Sequence, residues 1–403
     1  MAYRWELDAL RGLMLVLMTV THLPTRFSDP FGQPFGFVSA AEGFVMLSAY
    51  MAGVVYTERE RRHGEDEMRG AFLERAFKIW LCQAALLIFA FTLIALIGAI
   101  QQQDAVNNLL SFYLERPLTG LLSGLLLVYS PPLLDILPMY VLFMLASPLL
   151  LLHGLRQGWL AIMVASVALW LAAQWEIGRW FYELVVTPAK IPVPLRETGA
   201  FDIFAWQFLW VFGLWLGSHH SSGSARDDDD FPRWIVVAAA VIGAVGFAWR
   251  HAVGQTPFPG AATLNLLFDK WRLGPLRVIN VFALLVLVMH FGAWLKTHVP
   301  RSRAVETLGA AALPVFCAHL VLVLLVLATL GAADKERAPW IDLAILSGTF
   351  VVLYAVARIS GELDRQTAKA RERLKARRSR RGAALAAAGA GRSPPSTAHS
   401  PQR

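Results

Sequence analysis

The sequence predicts an all-α protein that crosses a membrane about ten times, and three observations predict it. Of its 403 residues, 56% are hydrophobic and only 16% charged, with a mean hydropathy of +0.49, whereas soluble domains carry about 25% charged residues. Stretches such as 76–100, 235–249 and 308–331 run 15 to 25 residues almost free of charge. That is close to the roughly 20 apolar residues a helix needs to cross a hydrocarbon core about 30 Å thick. The pattern also repeats along the whole chain, which one large soluble core would not require.

Taken in order, the expected spans are 7–23, 37–56, 76–100, 133–153, 158–176, 204–218, 234–249, 276–294, 308–330 and 340–360. The first apolar run contains Asp8 and Arg11 and has no small-x-small cleavage site, so it reads as a retained helix. Segment 105–128 reads as an interfacial helix. Segment 177–203, with Pro188, Pro192 and Pro194, reads as an external loop, and 218–230 as a solvated linker. No internal repeat is evident, which leaves an inverted-repeat transporter without support. Two domains are expected: a transmembrane domain over 1–360, and a basic, disordered tail over 361–403.

Lys and Arg in the connections set the expected orientation. With the N-terminus inside, Arg59, Arg61, Arg62, Arg69, Arg75 and Lys78 face the cytoplasm, together with Lys296, Arg301, Arg303 and the tail. The positive-inside rule then favours both termini in the cytoplasm of a bacterial inner membrane. Lys270, Arg272 and Arg277 run against that bias. They read either as a functional cluster or as a salt-bridge belt. The net charge of +8 is concentrated between 365 and 381. A polybasic stretch after a last span reads as a contact for anionic membrane lipids, not as a nucleic-acid arm.

The two cysteines, Cys82 and Cys317, lie in apolar runs and are poor disulfide candidates. His219 and His220 beside residues 227–230 lack fixed ligand spacing, so no metal site is expected. There is no Gly-x-Ser-x-Gly elbow, no Gly-Lys-Ser/Thr phosphate loop and no His-x4-Asp pair.

Ionisable groups inside a membrane are costly and so mark candidate sites. The first helix holds three, Asp8, Arg11 and His22. Eleven residues at about 100° each bring Arg11 and His22 onto one face, about 16 Å apart along the axis. Asp8 lies one turn before Arg11 and can pair with it. Such a face offers a cation at one end of a cavity and an imidazole at the other. An equally simple reading has Asp8–Arg11 capping the helix at headgroup level and His22 in the opposite interface. His319 faces either the cavity or a neighbouring helix as a structural histidine. Asp135 and Tyr140 flank the Pro138 helix start, and Gln207 and Asn280 are readable as interhelical hydrogen-bond partners.

The run LDALRGL with a His beyond it resembles the Arg-x10-His signature of the membrane-bound acyltransferase-3 superfamily. GFVSAAEGFVMLSAYMAG resembles the second-helix motif of its OpgC branch, which succinylates osmoregulated periplasmic glucans. LGAAALPVFCAHL resembles the later motif ending in His319, and LPMYVLF, FAWQFLWVFG and LGPLRVIN are also similar to OpgC segments. The resemblance runs in order over most of 4–330. Ala49 departs from it where glycine is usual, which bears on close helix packing.

The resemblance implies an O-acyltransferase that takes an acyl group, succinyl in that branch, from cytosolic acyl-CoA to a hydroxyl of a periplasmic glucan. No bound cofactor is expected, because acyl-CoA is the donor substrate. Arg11 would hold its phosphates, His22 would be the general base, and Glu42 would orient the imidazole from the start of the second helix. A succinyl donor brings a free carboxylate, and Arg26, Lys270 or Arg277 would meet it. The alternatives are another acyl group, another envelope glycan or glycolipid, or a proton-coupled transporter or flippase that uses Asp8, Arg11, Glu42 and His22 as a relay.

Overall fold

The computed structural model describes residues 5–186, 188–221 and 231–390. Residues 227–230 and 391–403, part of the expected linker and tail, lie outside the described residues. Every described element is helical. Thirteen helices matter here: α1 (Trp5–His22), α2 (Ala40–His63), α3 (Glu65–Gln101), α4 (Ile136–Gln157), α5 (Leu160–Gln174), α6 (Ile177–Val185), α7 (Ile203–Ser221), α8 (Arg233–Val253), α9 (Pro275–His290), α10 (Gly292–His298), α11 (Arg303–Ala310), α12 (Ala312–Leu330) and α13 (Pro339–Ala390).

The protein is an all-α polytopic membrane protein. Each of the ten expected spans falls on a helix, but six are long and apolar enough to cross a membrane on their own, and eight if two bent pairs count as one span each. The bent pairs are α5 with α6, at 89°, and α9 with α10, at 59°. The smaller count has a local cause in α1, where Glu6, Asp8 and Arg11 interrupt the apolar run. Residues 177–185, expected as loop, form α6 after a left-handed turn at Glu176. Segment 105–128 breaks into the short helices Asp104–Leu109, Ser111–Glu115 and Pro117–Leu125. α13 continues through the basic segment after 360 to Ala390. Its Ala, Arg, Lys, Glu and Leu content consists of strong helix formers.

Small residues set the closest helix contacts. A methyl at Gly213 or Gly217 of α7 would collide with the carbonyl oxygens of Met46 or Tyr50 in α2, and one at Gly53 with that of Leu214. Such stripes let backbones approach within a bilayer, where packing replaces the hydrophobic drive. Ala49 is fully buried in this seam opposite Gly213, so the glycine on α7 makes the room that α2 lacks. A second tight crossing joins α1 to α11, where Gly12 meets the Val305 carbonyl and Gly309 that of Asp8. Polar pairs add to this. Trp210 Nε1 donates to Ser147 Oγ (2.9 Å) and Gln207 Nε2 to the Ser166 carbonyl (2.8 Å), tying α7 to α4 and α5.

Candidate active site

Pro24 stops α1 just beyond His22, since the residue before a proline leaves helical geometry, and residues 23–39 follow as turns. His22 is half-buried, and its Nδ1 lies 3.2 Å from Nε2 of His319, with the two rings 5.5 Å apart and inclined by 18°. His319 is fully buried, and its Nδ1 makes no well-formed hydrogen bond among the described residues. His22 Nε2 makes no hydrogen bond to the protein among the described residues. His319 stands seven residues into the 19-residue α12, so the pair sits at mid-helix depth.

Glu42 does not orient His22. Its side chain is fully buried and commits both oxygens elsewhere. Oε1 accepts from Arg277 Nη1 at 2.5 Å, and Oε2 accepts from Ser39 N (3.0 Å) and Ser39 Oγ. The Ser39 contacts form a capping box, which satisfies donors at the N-terminus of α2. Arg277, 2% exposed, also donates through Nε to the Phe268 carbonyl (3.0 Å). It is therefore the counter-ion of Glu42, and its expected role toward a substrate carboxylate gives way to that pairing.

Arg26 is committed in the same way. Its backbone N and its Nε both donate to Asp342 Oδ2, at 3.1 and 3.2 Å, and its Nη2 reaches the Arg337 carbonyl. Arg337 binds the other Asp342 oxygen (3.3 Å) and the Pro24 carbonyl (3.0 Å). Asp342 is fully buried, so this network clasps the turn after His22 to α13. Of the three candidate cations, Lys270 alone has no ion pair among the described residues. It is half-buried, its Nζ lies 4.7 Å from the Trp271 ring centre, and it is within electrostatic range of His22, Glu42 and Asp135. Burial lowers its pKa from the ordinary lysine value, and Glu42 acts in the opposite sense.

At the other end of α1, Arg11 Nη1 lies 3.6 Å from Asp8, a loose pair, and Arg11 Nε is buried without a partner. Arg75 of α3 is half-buried, lies within electrostatic range of Arg11 and makes no ion pair or hydrogen bond among the described residues. Arg75 was missed in the sequence because it counts there as one more inside-facing charge. Two arginines without a full complement of acid form a site suited to an anion. Between the two ends runs an aromatic series. Tyr140, in electrostatic contact with Arg11, lies 6.1 Å from Phe44, Phe44 lies 6.0 Å from Phe316, and Phe316 meets His319 edge-on at 4.8 Å.

The site therefore holds an unsatisfied cationic end, an aromatic middle and a histidine pair with one free nitrogen. Asn280 is structural, its Oδ1 accepting from Phe37 N at 3.0 Å. No curated protein and no solved structure matches the chain. The family model described as OpgC protein matches residues 3–365. Nearly the whole helical domain falls within that match, and the chain belongs to the OpgC family.

Proposed function

We propose that this chain is a membrane O-acyltransferase that moves a succinyl group from cytosolic succinyl-CoA to a hydroxyl of a periplasmic glucan. Membership of the OpgC family supports the acyltransferase class. The succinyl group and the glucan are the finer part of the proposal. The observation that carries the proposal is the single face of α1 that joins a half-buried, under-paired Arg11 to a half-buried His22 with a free Nε2. The two are about 16 Å apart along the axis.

Arg11 and Arg75 would grip the donor's phosphates, a geometry guanidinium matches in two directions. The acyl thioester would extend along the aromatic middle toward His22. His22 Nε2 would take the proton of the acceptor hydroxyl as its oxygen attacks the thioester carbon. The C–S bond breaks, and the departing thiolate recovers that proton, giving an ester and free CoA. Of the three cations first considered for the succinyl carboxylate, Lys270 is the one left to receive it. With the Arg11 end toward the cytosol, both termini of the described chain face that side of the inner membrane.

The test uses the full chain in nanodiscs with radiolabelled succinyl-CoA and a glucan. Label covalently attached to glucan supports the reading, and movement of unmodified glucan across the bilayer would favour a transporter. His22→Ala should lower transfer roughly 10²–10⁴-fold, the loss of a general base, with little change in thermal stability. Transfer surviving within about tenfold would make His22 structural.

A further inference from the structure

We infer that His319 is the positioning residue for His22, accepting the His22 Nδ1 proton through its own Nε2 so that His22 Nε2 is kept unprotonated toward the site. This deepens the acyl-transfer reading and rests on it for its catalytic consequence, but it concerns an arrangement that exists without substrate.

A neutral imidazole carries one proton, and which nitrogen carries it is set by what the other nitrogen meets. Among the described residues His22 Nδ1 meets only His319 Nε2, at 3.2 Å, and no carboxylate bonds to either ring. Glu42, the acid nearest in the sequence argument, is consumed by Arg277 and Ser39. Two tautomer pairs satisfy the contact. In one, His319 Nε2–H donates to His22 Nδ1, which leaves His22 Nε2–H as a donor unable to take a proton. In the other, His22 Nδ1–H donates to His319 Nε2, and His22 presents a lone pair. Besides His319, the charged group in electrostatic range of His22 is Lys270. A positive charge facing Nε2 favours the tautomer that presents it a lone pair instead of an N–H. Full burial of His319, wedged against Phe316 with ring centres 4.8 Å apart, fixes the plane of the pair.

The chemistry differs from a triad built on an acid. When the acceptor's proton arrives at His22 Nε2, the resulting imidazolium keeps Nδ1–H bonded to a neutral acceptor. No buried carboxylate has to remain unpaired in the empty enzyme, which at this depth would be costly.

The first measurement is solid-state NMR of the full chain in lipid with ¹⁵N-labelled histidine, assigned by comparison with His22→Ala and His319→Ala. A protonated Nδ1 and a bare Nε2 on His22 are expected, with Nδ1 coupled to His319 Nε2. The reverse tautomer, or a His22 signal unchanged in His319→Ala, overturns the inference whether or not the protein transfers acyl groups. The second measurement is kinetic. His319→Leu should lower kcat by roughly 10²-fold or more with KM for the donor nearly unchanged, because a wrong tautomer costs a serine-protease triad about 10⁴-fold. His319→Gln, whose Oε1 can take the place of Nε2 as acceptor, should restore at least roughly tenfold over Leu. Equal activity of the Leu and Gln variants overturns the inference. A wild-type chain with the expected tautomer and no acyl transfer would overturn the proposed function instead.

Discussion

The Glu42–Arg277 pair gives the sharpest separation between scaffold and chemistry. Both groups are buried, at 0% and 2% exposure, and joined at 2.5 Å. Glu42→Gln keeps the shape and the acceptor for Ser39 N but strands the Arg277 charge, and Arg277→Met strands the carboxylate. Removing one partner of a buried pair costs about 3–5 kcal/mol, while replacing both by neutral groups is often tolerated. Each single variant should therefore melt several degrees below the parent in nanodiscs. The double variant should recover at least half of the larger loss, a coupling opposite in sign to additivity. Acyl transfer, normalised to folded protein, should change much less than in His22→Ala. Two results would refute the argument. One is a double variant as unstable as the sum of the singles. The other is a Glu42→Gln chain that melts like the parent but loses transfer roughly 10²-fold, which would return Glu42 to the role of orienting His22.

Two further perturbations test the outer charges. Lys270→Met should reduce succinyl transfer roughly tenfold or more relative to acetyl transfer, the worth of a hydrogen bond to a charged group, whereas Arg26→Met and Arg277→Met should show no such preference. Competition assays with the two donors read this directly, and equal losses with both donors for Lys270→Met would remove the dicarboxylic reading. Asp135, buried just before α4, accepts a hydrogen bond from Ala200 N (3.0 Å), and desolvation raises its pKa to about 6 against the opposing pull of that bond and of Lys270. A raised carboxyl pKa means the folded chain holds the proton more tightly than the unfolded one. Its stabilisation is therefore full below about pH 4 and is lost as pH rises to about 6, by at most about 3 kcal/mol. Melting at pH 5 and pH 7.5 should show Asp135→Asn gaining on the parent at the higher pH, and an unchanged difference at both would contradict the assignment.

How much of this was legible in the sequence depends on the range of the interaction. Helices follow from local apolar runs, so each of the ten expected segments is helical. What local composition could not supply was the bend between α5 and α6, where a left-handed Glu176 turns the chain by 89°. The Arg11–His22 spacing was legible because both residues share one helix. The partners of its two ends were not, because His319 lies 297 positions from His22 and Arg277 lies 235 from Glu42. One signal was present and outweighed. Ser39-x-x-Glu42 immediately before an apolar run is a capping box, and a glutamate held by its own helix start is poorly placed to orient a distant ring.

Charge is distributed so that the fixed and the available groups are different residues. The His22 end of the site holds two buried acids with dedicated arginines: Glu42 with Arg277, and Asp342 with Arg26 and Arg337. Each of these groupings ties distant elements together. The first joins the start of α2 to α9, and the second joins the turn after His22 to α13. Charges held in pairs and clusters of this kind serve chiefly to hold geometry. The groups left over are Lys270 beside His22, and Arg11 with Arg75 three turns away. Those are the two places where an acyl-CoA with a carboxylate on its acyl group carries negative charge. Between them lies the His22–His319 pair, to which no carboxylate bonds among the described residues. On the proposed function, exchanging Lys270 for a neutral residue should change which acyl group is used, whereas exchanging Arg26 or Arg277 should change whether the site is held together.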